Sequence, residues 1–115
     1  FDDLDRWVTT DDYPTLYRVD RPVWVHFQTL FPDLGKRLTG VPMWLRSGGL
    51  RIEPWQRGRQ VAWSADFDGG WLAAVAVPVS SGNGISKLNM QLWLEPAQFG
   101  ATPPTGWVEP QEHRT

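Results

Sequence analysis

The residues that most constrain the fold are 60–96, QVAWSADFDGGWLAAVAVPVSSGNGISKLNMQLWLEP. Apolar residues alternate there with small or polar residues, and this period of two is typical of half-buried β-strands. Two glycine-containing clusters, DGG and SSGNG, separate the alternating runs. The pattern therefore predicts a three-stranded antiparallel meander with strands over 61–67, 71–79 and 86–94.

The first turn of this meander is expected to be a three-residue loop, Asp-Gly-Gly at 68–70. Glycine near the end of such a loop suits the left-handed residue that closes it. This loop would place Phe67 opposite Trp71, and the next pair on the same face would be Ala65 with Ala73.

The second turn lies within Ser-Ser-Gly-Asn-Gly at 80–84. A two-residue loop and a four-residue loop over 82–85 give the same strand partners, with hydrogen-bonded and open pairs exchanged. Because Pro78 has no backbone N–H, it would lose a bond in a hydrogen-bonded pair, and the four-residue loop is favoured. Val79 is then expected opposite Leu88.

Alternation assigns one face of the meander to the core and the other to its outer side. The predicted inner face comprises Val61, Trp63, Ala65, Phe67, Trp71, Ala73, Val75, Val77, Val79, Leu88, Met90, Leu92 and Leu94. The outer face carries one large aromatic side chain, Trp93, over a floor of small residues. A tryptophan in such a setting predicts a recognition patch for another protein. That patch comprises Trp93, Gln91, Asn89 and Ser64.

Composition limits the class of protein. The 115 residues predict a single domain over 1–99 and a Pro- and Gly-rich tail over 100–115. The absence of cysteine excludes disulfides and thiolate metal sites, and no residue cluster indicates a metal ion or a cofactor. No apolar run is long enough for a membrane span. The opening FDDLD shows no signal peptide, so a cytoplasmic location is expected, although a removed export signal stays open because the first residue is not methionine.

Weaker signals lie on either side of the meander. A short N-terminal helix is predicted within 1–10, and a strand over 16–27 with an edge position or a bulge at Pro22. Two short strands, 43–46 and 50–53, are predicted to form a hairpin through Ser-Gly-Gly at 47–49, followed by a turn over 55–60. The expected fold is mainly β, α+β at its margin, as a small antiparallel barrel or a strongly bent sheet.

Two segments resemble a known family. Gly-Gly-Trp-Leu-Ala-Ala-Val at 69–75 and Leu-Trp-Leu-Glu-Pro-Ala-Gln-Phe at 92–99 are similar to the last strands of SH3-like small barrels. In that family an aromatic-led strand often follows an acidic turn, and the closing strand leads into a proline-containing turn. The resemblance covers about a third of the chain. It implies an SH3-like fold and no catalytic residues.

No set of residues predicts catalysis. Asp66 and Asp68 resemble the start of a calcium loop, but the later ligand positions hold apolar side chains, so a turn is expected. Gly-Asn-Gly at 82–84 lacks the Lys-Ser or Lys-Thr of a phosphate loop. His26 has no partner cluster for a metal or general-base role. The chain is therefore predicted to be a non-catalytic binding or accessory module.

Two alternatives to a protein partner stay open. The formal net charge of −2 argues against a general nucleic-acid coat, but residues 35–63 hold six basic side chains against one acidic side chain. The segment 43–63 interleaves aromatic and basic residues, a pattern that suits stacking on bases beside a phosphate backbone. The nucleic-acid alternative assigns Arg46, Arg51, Arg57, Arg59, Trp44 and Trp55. The third possibility is a structural homo-oligomer that buries the sheet face; the oligomeric state is left open.

Overall fold

The computed structural model describes residues 2–34 and 40–107. The strands are β1 (Leu16–His26), β2 (Leu50–Arg51), β3 (Trp55–Ala65), β4 (Trp71–Ser81), β5 (Lys87–Leu94) and β6 (Phe99–Gly100). The helices are α1 (Phe27–Leu30) and α2 (Met43–Gly48), with 3-10 helices at Asp2–Arg6 and Pro96–Gln98. Strand dominates, which confirms the predicted mainly β fold with a small helical part.

The described strands form one six-stranded antiparallel sheet in which β3 lies between β1 and β4. β6 pairs with the opposite edge of β1, and β5 pairs with the opposite edge of β4. Because β4 continues beyond its pairing with β3, its end at Ser80 and Ser81 pairs with β2 instead. The sheet is not closed, so the closed barrel among the two predicted architectures is not formed.

The turn between β3 and β4 has the predicted length but begins one residue earlier. Asp66 N–H donates to the carbonyl of Gly70 at 2.9 Å, so the loop comprises 67–69. It ends on Gly69 with a φ of 89°, the left-handed conformation that glycine adopts without steric cost. Ala65 therefore pairs with Trp71, and the predicted pairing of Phe67 with Trp71 is wrong. The shift leaves Phe67 at the loop tip, 99% exposed rather than on the inner face.

The turn between β4 and β5 is as predicted. Val79 pairs with Leu88, and Ser81 N–H donates to the carbonyl of Ser86 at 2.8 Å, which leaves a four-residue loop over 82–85. Pro78 lies opposite Asn89, in a pair that needs no donor from proline. This register confirms the predicted four-residue loop, in which Pro78 loses no hydrogen bond to β5.

A β-bulge in β3 exchanges the residues that reach the core. The register with β4 shifts between Gln60 and Ala62, so Gln60 pairs with Val75 and is fully buried. The bulged residue, Val61, packs instead beside Ala62 on the outer side. The inner position predicted for Val61 is therefore wrong, because the period of two does not continue through a bulge. A second register shift, between Arg18 and Arg21 in β1, adjoins Pro22 where a bulge was predicted.

The predicted hairpin over 43–53 is not formed. Residues 43–46 begin the helix α2, and the short strand β2 pairs with β4. Pro42 precedes α2 in an extended conformation, and Leu45 and Arg46 both donate to its carbonyl. Residues 55–60, predicted as a turn, belong to the long strand β3. Gly48 and Gly49, which were predicted to form a hairpin turn, lie instead at the C-terminal end of α2.

Both ends of the described chain pack on the outer side of the sheet. Leu4 in the N-terminal 3-10 helix is buried against Ala62 and Ala74. Trp107 packs edge-on against Trp24 at a ring distance of 5.8 Å. Gly100 in β6 pairs with Trp24 in β1. Residues 108–115, the remainder of the predicted tail, lie outside the described residues.

The core lies on the inner face of the sheet. Its buried members are Val23, Val25, Phe27, Ala73, Val75, Val77, Val79 and Leu94. They come from β1, β4 and β5 and from the start of α1, and they alternate with outer-face residues as the period of two requires. Trp63 and Phe99 pack against one end of this core.

Candidate functional site

An open groove on the inner side of the sheet is lined by three aromatic rings and a proline. We call it the aromatic groove; it is formed by Tyr17, Trp63, Trp71 and Pro96. Its volume is about 350 Å³ and its walls are almost wholly apolar. This volume lies at the lower end of the range for small-molecule pockets, and the groove is open rather than enclosed.

Strand register brings the aromatic residues together. Tyr17 in β1 pairs directly with Trp63 in β3, and Trp71 is the first residue of β4. The rings of Tyr17 and Trp71 lie 5.4 Å apart at an interplanar angle of 40°. Trp63 is supported from the core side by Phe99, at a ring distance of 5.8 Å. The three rings therefore stand on paired strands rather than on a mobile loop.

Pro96 is held by the 3-10 helix that it begins. The Glu95 side chain accepts from the backbone N–H of Gln98, and the Gln98 side chain accepts from the Glu95 N–H at 2.9 Å. This reciprocal capping box satisfies donors that the helix start would leave unpaired. Phe99 then joins β6 beside β1. The closing turn thus presents the Pro96 ring at a defined position in the groove.

The charges around the aromatic groove are mixed. The Arg21 guanidinium lies 5.8 Å from the ring of Trp63, and its Nε donates to Gln60 Oε1 at 2.7 Å. Acidic residues lie near two groove residues in the sequence. Asp66 and Asp68 precede Trp71, and Glu95 directly precedes Pro96. The groove therefore has a basic side chain near the Trp63 ring, and acidic residues lie close in the chain to Trp71 and Pro96.

Asp66 has a structural role in the loop beside the groove. Its Oδ1 accepts from the backbone N–H of Asp68 at 2.9 Å and from that of Gly70 at 3.0 Å. This arrangement is an Asx-type turn, in which a short carboxylate replaces a backbone acceptor. Within residues 2–34 and 40–107 no group of three potential metal ligands is present.

The predicted patch around Trp93 is divided by the structure. Trp93, Gln91 and Asn89 lie on the outer face of β5, and Trp93 is 48% exposed. Ser64 lies on β3 and pairs with Leu72, so β4 separates it from Trp93. Trp93 pairs with Ala74, and Ala74 packs in one buried cluster with Leu4 of the N-terminal 3-10 helix. The chain's own N-terminus, through Leu4, therefore occupies part of the small-residue floor beside Trp93.

The six residues of the nucleic-acid alternative lie in two regions. Arg46 and Trp44 belong to α2, next to Arg51 in β2, whereas Arg57 and Arg59 lie on β3. Trp44 is 74% exposed, and Trp55 is half-buried in a parallel stack with His26 at 4.2 Å.

Three of these arginines have partners within the chain. Arg51 Nε donates to Glu53 at 2.8 Å, and Arg59 pairs with Asp20 at 2.5 Å. Arg57 lies 5.8 Å from the ring of Trp24. The register places Arg57 and Arg59 on the same outer face of β3, whereas Arg46 belongs to α2.

Sequence reasoning placed Trp63 and Trp71 in the core and did not assign Tyr17 or Pro96 to any site. A signal for the groove was present in the segments 69–75 and 92–99, because Trp71 follows the acidic turn and Pro96 lies in the turn after β5. Only the pairing of Tyr17 with Trp63 shows that they line one groove.

Comparison with protein-family models, with curated proteins and with solved structures finds no match to this chain. The functional argument therefore rests on the geometry of the described residues. In that part of the chain, no helix combines the length and the apolar character needed to cross a bilayer.

Proposed function

We propose that this domain is a non-catalytic recognition module that binds an extended, proline-containing segment of another protein in the aromatic groove. The observation that carries the proposal is the convergence of Tyr17, Trp63, Trp71 and Pro96 on one open, apolar groove. The protein partner expected from the sequence is kept, and its binding site is moved from Trp93 to this groove.

The shape and chemistry of the groove favour proline. Polyproline II segments dock in aromatic-lined grooves, where flat pyrrolidine rings lie against aromatic faces. Such segments are already extended before binding, so less conformational entropy is lost on binding. The Tyr17 ring is 48% exposed and its hydroxyl can donate to a carbonyl of the bound backbone. A short apolar groove of this kind suits a small interface and a micromolar affinity.

The local charges favour a peptide over a nucleic acid. Asp66, Asp68 and Glu95 lie within a few residues of the groove, and they would repel a phosphate backbone while attracting basic side chains. The SH3-like resemblance supports the same kind of partner, because its two segments supply Trp71 and Pro96. Nucleic-acid binding through the arginines of α2, β2 and β3 remains the alternative, and the experiment separates the two.

The test uses a synthetic decamer with eight prolines between two arginines, a matched decamer with two glutamates, and a Gly-Ser decamer. Binding is followed by tryptophan fluorescence and by the indole N–H signals in NMR spectra of the full chain. We expect saturable binding of both proline peptides, tighter for the arginine-flanked one, and none of the Gly-Ser peptide.

Two variants locate the site. Trp71→Ala should weaken binding about 30-fold or more, the effect of losing an aromatic hot spot worth about 2 kcal/mol. Trp44→Ala is the matched control, because it removes an exposed tryptophan far from the groove in the chain, and it should change affinity less than twofold. Absence of binding by either proline peptide at about 1 mM, or equal losses in both variants, would contradict the proposal.

The alternatives have their own readouts in the same assay. Mixed-sequence DNA or RNA should cause no saturable quenching at about 50 mM salt; binding that weakens steeply by about 200 mM salt would favour the nucleic-acid alternative. The double variant Arg57→Ala/Arg59→Ala should then abolish that binding. Loss of peptide binding on Trp93→Ala, with Trp71→Ala unaffected, would return the site to the outer face.

A further inference from the structure

We infer that β5 is the interface of a two-fold symmetric dimer, in which β5 of one copy pairs antiparallel with β5 of a second copy and the register is centred on Gln91. The inference is independent of the aromatic groove, which lies at the end of the sheet formed by β1, β3 and β4. It rests on the backbone geometry, the edge chemistry and the charge pattern of Lys87–Leu94 and Glu95.

The hydrogen-bond pattern of the β4–β5 hairpin shows which groups of β5 point outward. Ser81 N–H donates to the carbonyl of Ser86, so this pair is of the hydrogen-bonded type, and such pairs recur every second residue. Pro78 fits this pattern, because it falls in an open pair, and its carbonyl points away from β5 and accepts from Gln56 Nε2 at 2.9 Å. The even-numbered residues of β5 therefore bond to β4.

The odd-numbered residues direct their backbone N–H and C=O groups to the opposite edge of β5. These residues are Lys87, Asn89, Gln91 and Trp93. Among the described residues no strand pairs with that edge, since the only partner of β5 is β4. A row of such groups is a template for another strand.

This edge differs from the other strand margins of the sheet. Natural sheets protect their edges with bulges, prolines, charged residues or very short strands. β1 carries both a bulge and Pro22, and β2 and β6 are two residues long. β5 has eight residues, a regular register with β4, no proline, and no charged residue between Leu88 and Leu94. Apart from Lys87 at its first position, the edge of β5 lacks these protections, which is typical of a strand that has a partner.

The sequence of β5 is complementary to itself in one register. An antiparallel pair centred on Gln91 sets Asn89 opposite Trp93 of the second copy and Lys87 opposite Glu95, the only charged residues in 87–95. The inner-face row continues across the pair, because Leu88 meets Leu94 and Met90 meets Leu92. The row of apolar side chains on the core side would thus double in length.

The backbone groups also match in this register. Outward-facing residues meet outward-facing residues, so the pairs 91–91, 89–93 and 93–89 supply about six backbone hydrogen bonds. The Glu95 amide and carbonyl are already used by Gln98, so Glu95 contributes its charge alone. A register centred on Met90 would pair Lys87 with Trp93 and leave Glu95 without Lys87. A pairing shifted by one residue would set the outward groups of one copy against the inward groups of the other.

The dimer has a consequence for binding. Because the two-fold axis of such a pair is perpendicular to the sheet, the inner faces of both copies point the same way. If the aromatic groove binds peptide as proposed, two grooves lie on one side of the assembly and favour a partner with two proline-containing segments.

The first test is the mass of the full chain by light scattering and sedimentation from about 1 to 500 µM. We expect a shift from 13.1 kDa to twice that mass as concentration rises. Gln91→Pro removes an outward N–H without touching a bond to β4, and it should weaken the dimer at least tenfold. Gln91→Val keeps the N–H and is the matched control. A monomer at every concentration, or a dimer unaffected by Gln91→Pro, would overturn the inference.

The register has a separate test that does not depend on the proline variant folding. The chain has no cysteine, so a single introduced thiol is unique. Residue 91 faces its own copy, with Cβ atoms about 5 Å apart, whereas the two copies of residue 89 lie about 14 Å apart along the strands. A short thiol cross-linker should therefore join Gln91→Cys efficiently and Asn89→Cys poorly. Equal cross-linking of both variants, or of neither, would refute this register.

Discussion

Gly58 is the position at which the structure makes its sharpest stability prediction. It is buried in β3, and a Cβ added there would lie 2.9 Å from the Ala76 carbonyl oxygen and 2.9 Å from Val77 Cγ2, with Val75 Cγ1 at 3.2 Å. Two of these contacts are closer than real Cβ atoms show, and one is to backbone that cannot rotate away. Gly58→Ala must therefore move β3 away from β4 or distort the core valines.

The expected magnitude is a balance of two terms. Overpacking of a well-packed core costs about 1–3 kcal/mol, and the upper half applies here because a backbone carbonyl is involved. Replacing glycine with alanine recovers about 0.4–1 kcal/mol by restricting the unfolded chain. The free energy of unfolding should therefore fall by about 1–2.5 kcal/mol.

The assay is urea unfolding followed by circular dichroism at 25 °C. With an m-value of about 1–3 kcal/mol/M, the midpoint should fall by roughly 1 M at an unchanged slope. The matched control is Gly48→Ala in α2, where the added Cβ has no described atom within 4 Å and helix propensity favours alanine. This control should be neutral or slightly stabilising. A Gly58→Ala variant within about 0.5 kcal/mol of the parent chain would refute the close approach of β3 and β4.

Three further substitutions test other contacts. Gly82→Ala should destabilise more than Gly58→Ala in the same urea assay, because its Cβ would collide with the Arg46 carbonyl where α2 lies on the β4–β5 loop. Asp66→Ala should lower the free energy of unfolding by about 1 kcal/mol, since two backbone amides of its loop lose their acceptor; Asp66→Asn, which keeps one acceptor oxygen, should lose less in thermal unfolding. Gln60→Ala should lower the free energy of unfolding by about 2–3 kcal/mol, because it opens a cavity beside the core and leaves the Arg21 Nε without its acceptor. Calorimetry measures this loss, and a value under about 0.5 kcal/mol would contradict the buried role of Gln60.

Local pattern in the sequence was sufficient for the β4–β5 hairpin. Its register depends on Pro78, whose missing N–H is a covalent property, and on alternation along both strands, from Val75 to Val79 in β4 and from Leu88 to Leu94 in β5. The mainly β class follows from the same alternation. The loop between β3 and β4 was less determined, because glycine at both 69 and 70 can supply the left-handed residue. The Asp66 carboxylate accepts from the backbone N–H of Gly70, and this hydrogen bond is present in the observed loop 67–69.

The segment 43–60 shows why local pattern fails elsewhere. Residues 50–51 are a strand only because β4 offers them an edge, and residues 55–60 are a strand because they lie between β1 and β4. The bulge that buries Gln60 depends on Arg21 from another strand, 39 residues away in the chain. No window of neighbouring residues contains these partners.

For the candidate site, too, some features follow from local sequence and others only from tertiary structure. The sequence by itself determined the alternation, the turn residues and the aromatic and proline side chains of segments 69–75 and 92–99, because each of these acts within a few residues of the chain. Tertiary structure alone decided that Tyr17 lies beside Trp63 and Trp71, and that Leu4 covers the floor beside Trp93. These arrangements depend on strand pairing between distant segments, and the free energy of such pairing comes from surfaces that meet only when the whole sheet has formed.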